Sequence, residues 1–421
     1  MANIKPFKIS IPDSDISRLK TKLSLATFPQ DVEMSDSWSY GAPLKDIKRL
    51  ASHWQSGFDW RAAESSINAQ LPQFTTAVPV AGFGDVEVHF VHQRSPRAGD
   101  DSIPLLFCHG WPGSFLEVAK VLPHLTGTHD GDVDGDGEDG GQQRPTFHVV
   151  APSLPNFGFS GKVSKPGFGL KQYAQVCHSL MLRLGYERYA TQGGDWGFGI
   201  TRWVGLQFPE HVLASHFNMI LVRRPPTLAG HPAEFMKHAL LPYSRAEREG
   251  MERTRWFAEE GMGYNLEQST RPHTLGFALA DSPVALLAWV YEKLHDWTDG
   301  YPWTDDEVLT WISIYAFSTA GPDASVRIYY ESRRQNDIAL GAGYHGKVPL
   351  GFSYFPRDLI LRPNTWGRTL GPVVFEKRHV DGGHFAAYER PDELVDDLRT
   401  MFGKGGGANN VVKQSKPQPR V

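Results

Sequence analysis

The stretch Gly193-Gly194-Asp195-Trp196-Gly197 constrains this chain more than any other. A strand-like run, Tyr189 to Gln192, leads into it. A helix-like run, Phe198 to Phe208, leaves it and stops at Pro209. Glycines two before and two after a reactive side chain permit a sharp strand-to-helix turn, because a Cβ at either place would collide with neighbouring backbone. Such a turn lifts the side chain at its apex clear of the sheet, where a nucleophile is needed. Here the apex is a carboxylate, Asp195, rather than Ser or Cys. The plain alternative is an aspartate that only caps the following helix.

The pattern around this turn indicates a fold. Ile103 to Cys108 and Phe147 to Ala151 are short apolar runs, as expected of strands buried on both faces of a parallel sheet. Phe115 to Leu125 and Leu170 to Leu184 read as helices, and Leu213 to Met219 as another strand. Strands alternating with helices imply a mostly parallel sheet with helices on both faces. From residue 224 to 335 the pattern becomes helical and aromatic with no clear strand. Strands return at Val348 to Ser353 and Val373 to Arg378, and an amphipathic helix, Pro391 to Phe402, closes the pattern. The reading is an α/β-hydrolase core over 96–223 and 336–402, interrupted by a helical lid over 224–335. Residues 1–95 read as a separate N-terminal module, with helical spacing at Leu44, Ile47, Leu50 and Trp54 and strands at Thr75 to Ala81 and Val86 to His92.

Two segments lack these signals. The tail, 403–421, is expected to be disordered, and Thr128 to Arg144 is a Gly/Asp-rich insertion. The insertion holds Asp132-x-Asp134-x-Asp136-Gly137, the opening of a calcium loop. Its twelfth position is Gln143 rather than Glu, so a solvated loop is expected and no metal or cofactor is assigned.

Composition narrows the function classes. A formal net charge of −4 with 21% charged residues gives no basic surface for nucleic acid. No apolar run approaches the length that spans a bilayer, and the first residues lack the apolar region of a signal peptide, so a cytoplasmic protein without membrane contact is expected. The two cysteines, Cys108 and Cys177, lie in apolar runs and read as buried free thiols.

In this fold the catalytic order along the chain is nucleophile, acid, histidine. Downstream of Asp195, the run Val380-Asp381-Gly382-Gly383-His384-Phe385 follows the last strand and offers His384 as general base. Asp358 follows the strand from Val348 and suits the acid that orients it. Asp381 is a rival too close in sequence to come from a separate strand end. Upstream, Phe107-Cys108-His109-Gly110-Trp111-Pro112-Gly113 follows the first buried core strand. Its turn can supply an oxyanion N–H from Trp111 beside that of Trp196, with Pro112 after a cis bond.

A carboxylate nucleophile is already ionised at neutral pH. It can displace a leaving group from an sp³ carbon and form an ester whose carbonyl belongs to the enzyme, which water activated by His384 then hydrolyses. Serine-type esterase and peptidase chemistry is disfavoured; epoxide opening and halide displacement remain. An epoxide oxygen leaves as an alkoxide and needs a proton donor such as Tyr, whereas a halide needs only N–H donors. The lid is rich in both Tyr and Trp, so composition alone does not choose. A non-catalytic binding protein on the same fold is the third reading, and the complete set of nucleophile, base and acid argues against it.

The motifs resemble those of the microsomal-type epoxide hydrolases, most closely the soluble fungal members. The resemblance rests on His109-Gly110-Trp111-Pro112-Gly113-Ser114-Phe115, Gly193-Gly194-Asp195, Ser269-Thr270-Arg271-Pro272, Ser282-Pro283-Val284-Ala285-Leu286-Leu287-Ala288-Trp289, Gly351-Phe352-Ser353 and Gly382-Gly383-His384-Phe385-Ala386-Ala387. It implies Asp195 as nucleophile, His384 as base and Asp358 as acid. Tyr264 and Tyr329 would hold and protonate the epoxide oxygen, with Tyr330 adjoining the second. Trp111, Pro112 and Trp196 would line the substrate site. It also implies an N-terminal module that wraps the core and contacts the lid, no cofactor, a small-molecule epoxide as substrate, and a homodimer. Trp196 departs from the small aliphatic residue of the fungal relatives. Detoxification and a biosynthetic step are equally compatible with these motifs.

Overall fold

The computed structural model describes residues 4–96, 102–129 and 144–415. The acidic stretch from Asp132 to Gln143, weighed above as a calcium loop, lies outside the described residues.

Nine strands form one sheet among the described residues: β1 (Lys5–Phe7), β2 (Gln73–Val80), β3 (Gly84–Gln93), β4 (Ile103–Cys108), β5 (Phe147–Pro152), β6 (Tyr189–Gly193), β7 (Val212–Phe217), β8 (Leu350–Tyr354) and β9 (Val373–Arg378). Their order is β1-β2-β3-β5-β4-β6-β7-β8-β9. β5, β4, β6, β7, β8 and β9 run parallel. Every residue of β6, β7 and β8 is buried, as strands covered on both faces require. The chain leaves β4 outward to β5 and returns to β6 on its other side. This order reversal opens a crevice beyond the carboxyl ends of the strands.

Three expectations are corrected. First, residues 1–95 are not separate from the sheet. β3 pairs antiparallel with β5, and β2 and β1 continue outward, so the N-terminal strands cover a core edge that would otherwise stand unpaired. Second, the helix expected from Phe115 to Leu125 is split into a 3₁₀ turn, Phe115–Val118, and a helix, Leu122–Thr126. Pro123 sits in the first turn of the new helix, where its missing N–H removes no bond. Third, the tail is ordered through Asn409–Ser415, a helix. A Cβ on Gly407 would come within 2.2 Å of the Val374 carbonyl oxygen, and Ala408 is fully buried. Glycine there allows close packing rather than disorder.

The lid is all helical, from Pro232–Leu240 to Arg327–Gln335. N-terminal helices strap it down. Trp54 Nε1 donates to Ser313 Oγ at 3.2 Å, Trp38 stacks on His295 with ring centroids 3.5 Å apart, and Lys22 pairs with Asp281 at 2.8 Å. Cys108 and Cys177 are buried with their sulfurs 3.9 Å apart, unbonded thiols as expected.

Candidate active site

The predicted residues meet at the carboxyl ends of the parallel strands. Asp195 follows β6 with φ 50° and ψ −126°, a conformation that L side chains rarely adopt. The sharp bend depends on close backbone approach. A Cβ on Gly197 would stand 2.1 Å from the Cys108 carbonyl oxygen, and one on Gly110 would stand 2.3 Å from Asp195 Oδ1. Asp195 is therefore held in the elbow and does not act as a helix cap; it makes no capping hydrogen bond.

Trp111 follows β4, and the Trp111–Pro112 bond is cis. The Trp111 N–H donates to Asp195 Oδ1 at 2.8 Å, and the Trp196 N–H favours the same carboxylate. One carboxylate oxygen thus already lies where a tetrahedral oxyanion would develop. The other, Oδ2, lies 3.7 Å from His384 Nε2. His384 Nδ1 meets Asp358 Oδ1 at 2.7 Å, and the same oxygen accepts from the Leu359 N–H at 2.7 Å. Asp381 instead pairs with Arg390 at 3.0 Å, so of the two candidate acids it is Asp358 that meets the imidazole.

Tyr264 and Tyr329 lie beside each other near Asp195, their rings 5.8 Å apart at 81°. Both line a cavity of about 420 Å³ together with Asp195 and Trp196. The Tyr329 hydroxyl and Trp196 Nε1 are buried and make no hydrogen bond of good geometry, although each lies near enough for the indole to favour the ionised phenol. Tyr330 is partly exposed and does not line the cavity, and Arg334 lies over its ring, so the tyrosine at the site is Tyr329.

Trp111 and Pro112 do not line the larger cavity, although Trp111 lines the small one beside Asp195 and His384. The Trp111 ring stacks on Tyr264 at 5.4 Å and meets Tyr329 edge-on, so it backs the two phenols. Pro112 is buried, and its carbonyl accepts from Trp311 Nε1 at 2.6 Å.

Electrostatics follow from burial. Burial raises the Asp195 pKa, while the His384 charge and the two backbone amides oppose it. Burial lowers that of His384, but Asp358, Asp195 and Glu117 together outweigh it and raise it to about 9. Each partner thus favours the charged form of the other, the carboxylate raising His384 and the imidazolium opposing the rise in Asp195. Burial, reinforced by the Asp195 charge, raises both tyrosines, which stay protonated at neutral pH.

Sequence reasoning missed several residues. Glu117 faces a small cavity of about 10 Å³ shared with Asp195, Asn218 and His384, room of the order of one water. Burial pushes its pKa up to about 8. Trp311 and Tyr315, on the lid helix Asp305–Ala316, bond the carbonyls of Pro112 and Gly113 and fix the oxyanion turn. The Trp297 carbonyl accepts the His384 N–H at 2.8 Å. Glu117 lies two residues beyond the motif His109 to Phe115, and nothing in that motif marks it. Nothing singles out Trp311 among twelve tryptophans.

Comparison with known proteins agrees with this geometry. Residues 4–118 match the epoxide hydrolase N terminus family, and residues 103–248 match the alpha/beta hydrolase fold family. A Stigmatella aurantiaca relative is 36% identical over 405 residues, 95% of this chain and 84% of its own length. Epoxide hydrolase 1 of Sus scrofa is 32% identical over 95% of this chain and 89% of its own. The solved structure of Aspergillus niger epoxide hydrolase superposes with a TM-score of 0.79 at 33% identity, covering 98% of this chain and 96% of that one. The chain belongs to the epoxide hydrolase family and is an enzyme that hydrolyses epoxides.

Proposed function

We propose that the reaction runs in two steps through an ester on Asp195. Asp195 Oδ2 attacks a carbon of the three-membered ring. The ring C–O bond breaks, and the departing oxygen takes a proton from Tyr264 or Tyr329, so no free alkoxide forms. What supports this most is the single face on which two protonated phenols meet a carboxylate whose other oxygen rests on backbone N–H groups.

In the second step the His384 imidazolium first returns a proton to the tyrosinate left by ring opening, through water, and the neutral imidazole then takes a proton from the water that attacks Cγ of Asp195. The oxyanion forms on Oδ1, held by the Trp111 and Trp196 N–H groups, and collapse releases the diol. Ester formation itself primes the base. It neutralises Asp195, one of the three carboxyl groups that raise the His384 pKa, so the imidazolium becomes more acidic only once a base is needed. The small cavity beside Glu117 and His384 suits the attacking water. Two hydroxyl donors at the leaving oxygen favour an epoxide over a haloalkane.

The test is His384→Gln. The variant should form the ester and stall, so its mass should rise by that of a styrene-type epoxide at the peptide carrying Asp195. An unmodified peptide, with diol still produced at the wild-type rate, would refute the two-step route.

A further inference from the structure

The cavity that holds Asp195 is also lined by Arg223, Arg333 and Arg362. Its body is apolar, with Met219, Leu221, Phe257, Met262, Leu359 and Ile360 among its walls. Asp195 is the only carboxylate in that lining, and it is already matched by His384.

None of the three guanidinium groups has an ion-pair partner among the described residues. Arg333 donates only to Ser269 Oγ, at 3.2 Å. Arg362 is part-buried, its guanidinium lies over the Trp366 ring at 5.2 Å, and its Nε is buried without a hydrogen-bond partner. Arg223 and Arg333 are exposed at the opening. A chain of net charge −4 thus gathers three unpaired positive charges around one apolar cavity. Arginine on the wall of a pocket, planar and weakly hydrated, matches a carboxylate through paired N–H donors, and a buried Nε without an acceptor is a donor waiting for one.

We infer that the enzyme acts on epoxides that carry a carboxylate at the end remote from the ring, with that carboxylate held by Arg362, Arg333 and Arg223 while the ring meets Asp195 and the two tyrosines. This rests on the epoxide-opening reading of the same site and adds its substrate class. The segments that supply the arginines are the loop after β7, the end of the last lid helix and the loop after Asp358. They converge on the cavity from three parts of the chain, so the charge belongs to the pocket and not to one basic helix. Steering by the three charges would speed capture of the anion, most at low salt.

The test uses the full chain and a matched pair of substrates: an ω-epoxy alkanoic acid of medium length and its methyl ester. The acid should exceed the ester in kcat/KM by about tenfold or more at low ionic strength, and the ratio should shrink as salt rises. Arg362→Gln should remove most of that preference, and Arg223→Gln or Arg333→Gln about two- to threefold each, read as the acid-to-ester ratio of kcat/KM so that any change common to both substrates cancels. Binding of octanoate and octanamide, read from tryptophan fluorescence, gives a measure independent of turnover. Equal kcat/KM for acid and ester overturns the inference and leaves the epoxide reading standing. Tighter octanoate binding with no turnover of either epoxide leaves the anion site standing and overturns the reading it was built on. Equal binding of octanoate and octanamide without turnover overturns both.

Discussion

The two ends of the substrate cavity are built by opposite means. At the reaction end Asp195 is held by a backbone N–H, His384 by Asp358, and the turn at Trp111 by Trp311 and Tyr315 from the lid. At the mouth, Arg223 and Arg333 are exposed and without carboxylate partners. Chemistry needs groups that do not reorganise during the reaction, so it is seated on strand ends and tight turns. Recognition of a substrate tail tolerates mobile side chains. Changes at the first end should therefore lower turnover of every epoxide alike, and changes at the second should matter only for particular tails.

The largest effect is expected from Asp195→Ala, which should lower turnover of any epoxide by about 10⁴-fold or more while leaving the fold intact by circular dichroism. Equal loss for neutral and acidic substrates would place the residue at the reaction end; a loss confined to one tail would erase the distinction between the ends. Next comes the pair of phenols. Tyr264→Phe and Tyr329→Phe should each slow ring opening about 10- to 100-fold in single-turnover assays, and the double variant should be nearly inactive. Full rate in both single variants would mean that the proton comes from elsewhere.

A smaller effect should appear in pH dependence. Hydrolysis of the ester requires neutral His384. Its rate should rise with pH and level off below the value of about 9 that marks the resting enzyme, because the ester has lost the Asp195 charge. Asp358→Asn removes the carboxylate that does most to offset burial. The rising limb should then move to lower pH while the plateau falls. A limb that stays in place would show that Asp358 does not set the basicity of His384. Glu117→Gln should slow ester hydrolysis about tenfold with ester formation unchanged, if its carboxyl helps hold the attacking water. The smallest effect is structural. Trp311→Phe strands the Pro112 carbonyl without its donor and should lower unfolding stability by about 1–3 kcal/mol in urea melts.

What the chain discloses about itself divides along the same line. Gly193, Asp195 and Gly197 were readable because a nucleophile elbow forbids side chains at fixed offsets, which leaves a local signature. His384 and Asp358 followed from order along the chain, and β4 to β9 from short apolar runs. β2 and β3 read correctly as strands but not as part of the core sheet, and β1 was missed, since pairing across residues far apart leaves no local trace. Gly407 looked like a flexible tail for a similar reason: its packing partner, Val374, is distant in sequence. The mouth arginines were invisible because three separate segments contribute them. Only the fold brings them to one cavity.

The most direct test of the account is a single turnover with excess enzyme in ¹⁸O-water, followed by mass analysis of the peptide containing Asp195 and of the diol. The account predicts label in the Asp195 carboxylate and an unlabelled first-turnover diol, because water attacks the enzyme's carbonyl carbon. Label in the first diol, with none in the peptide, would mean that water opens the ring directly and would contradict the covalent role given to Asp195.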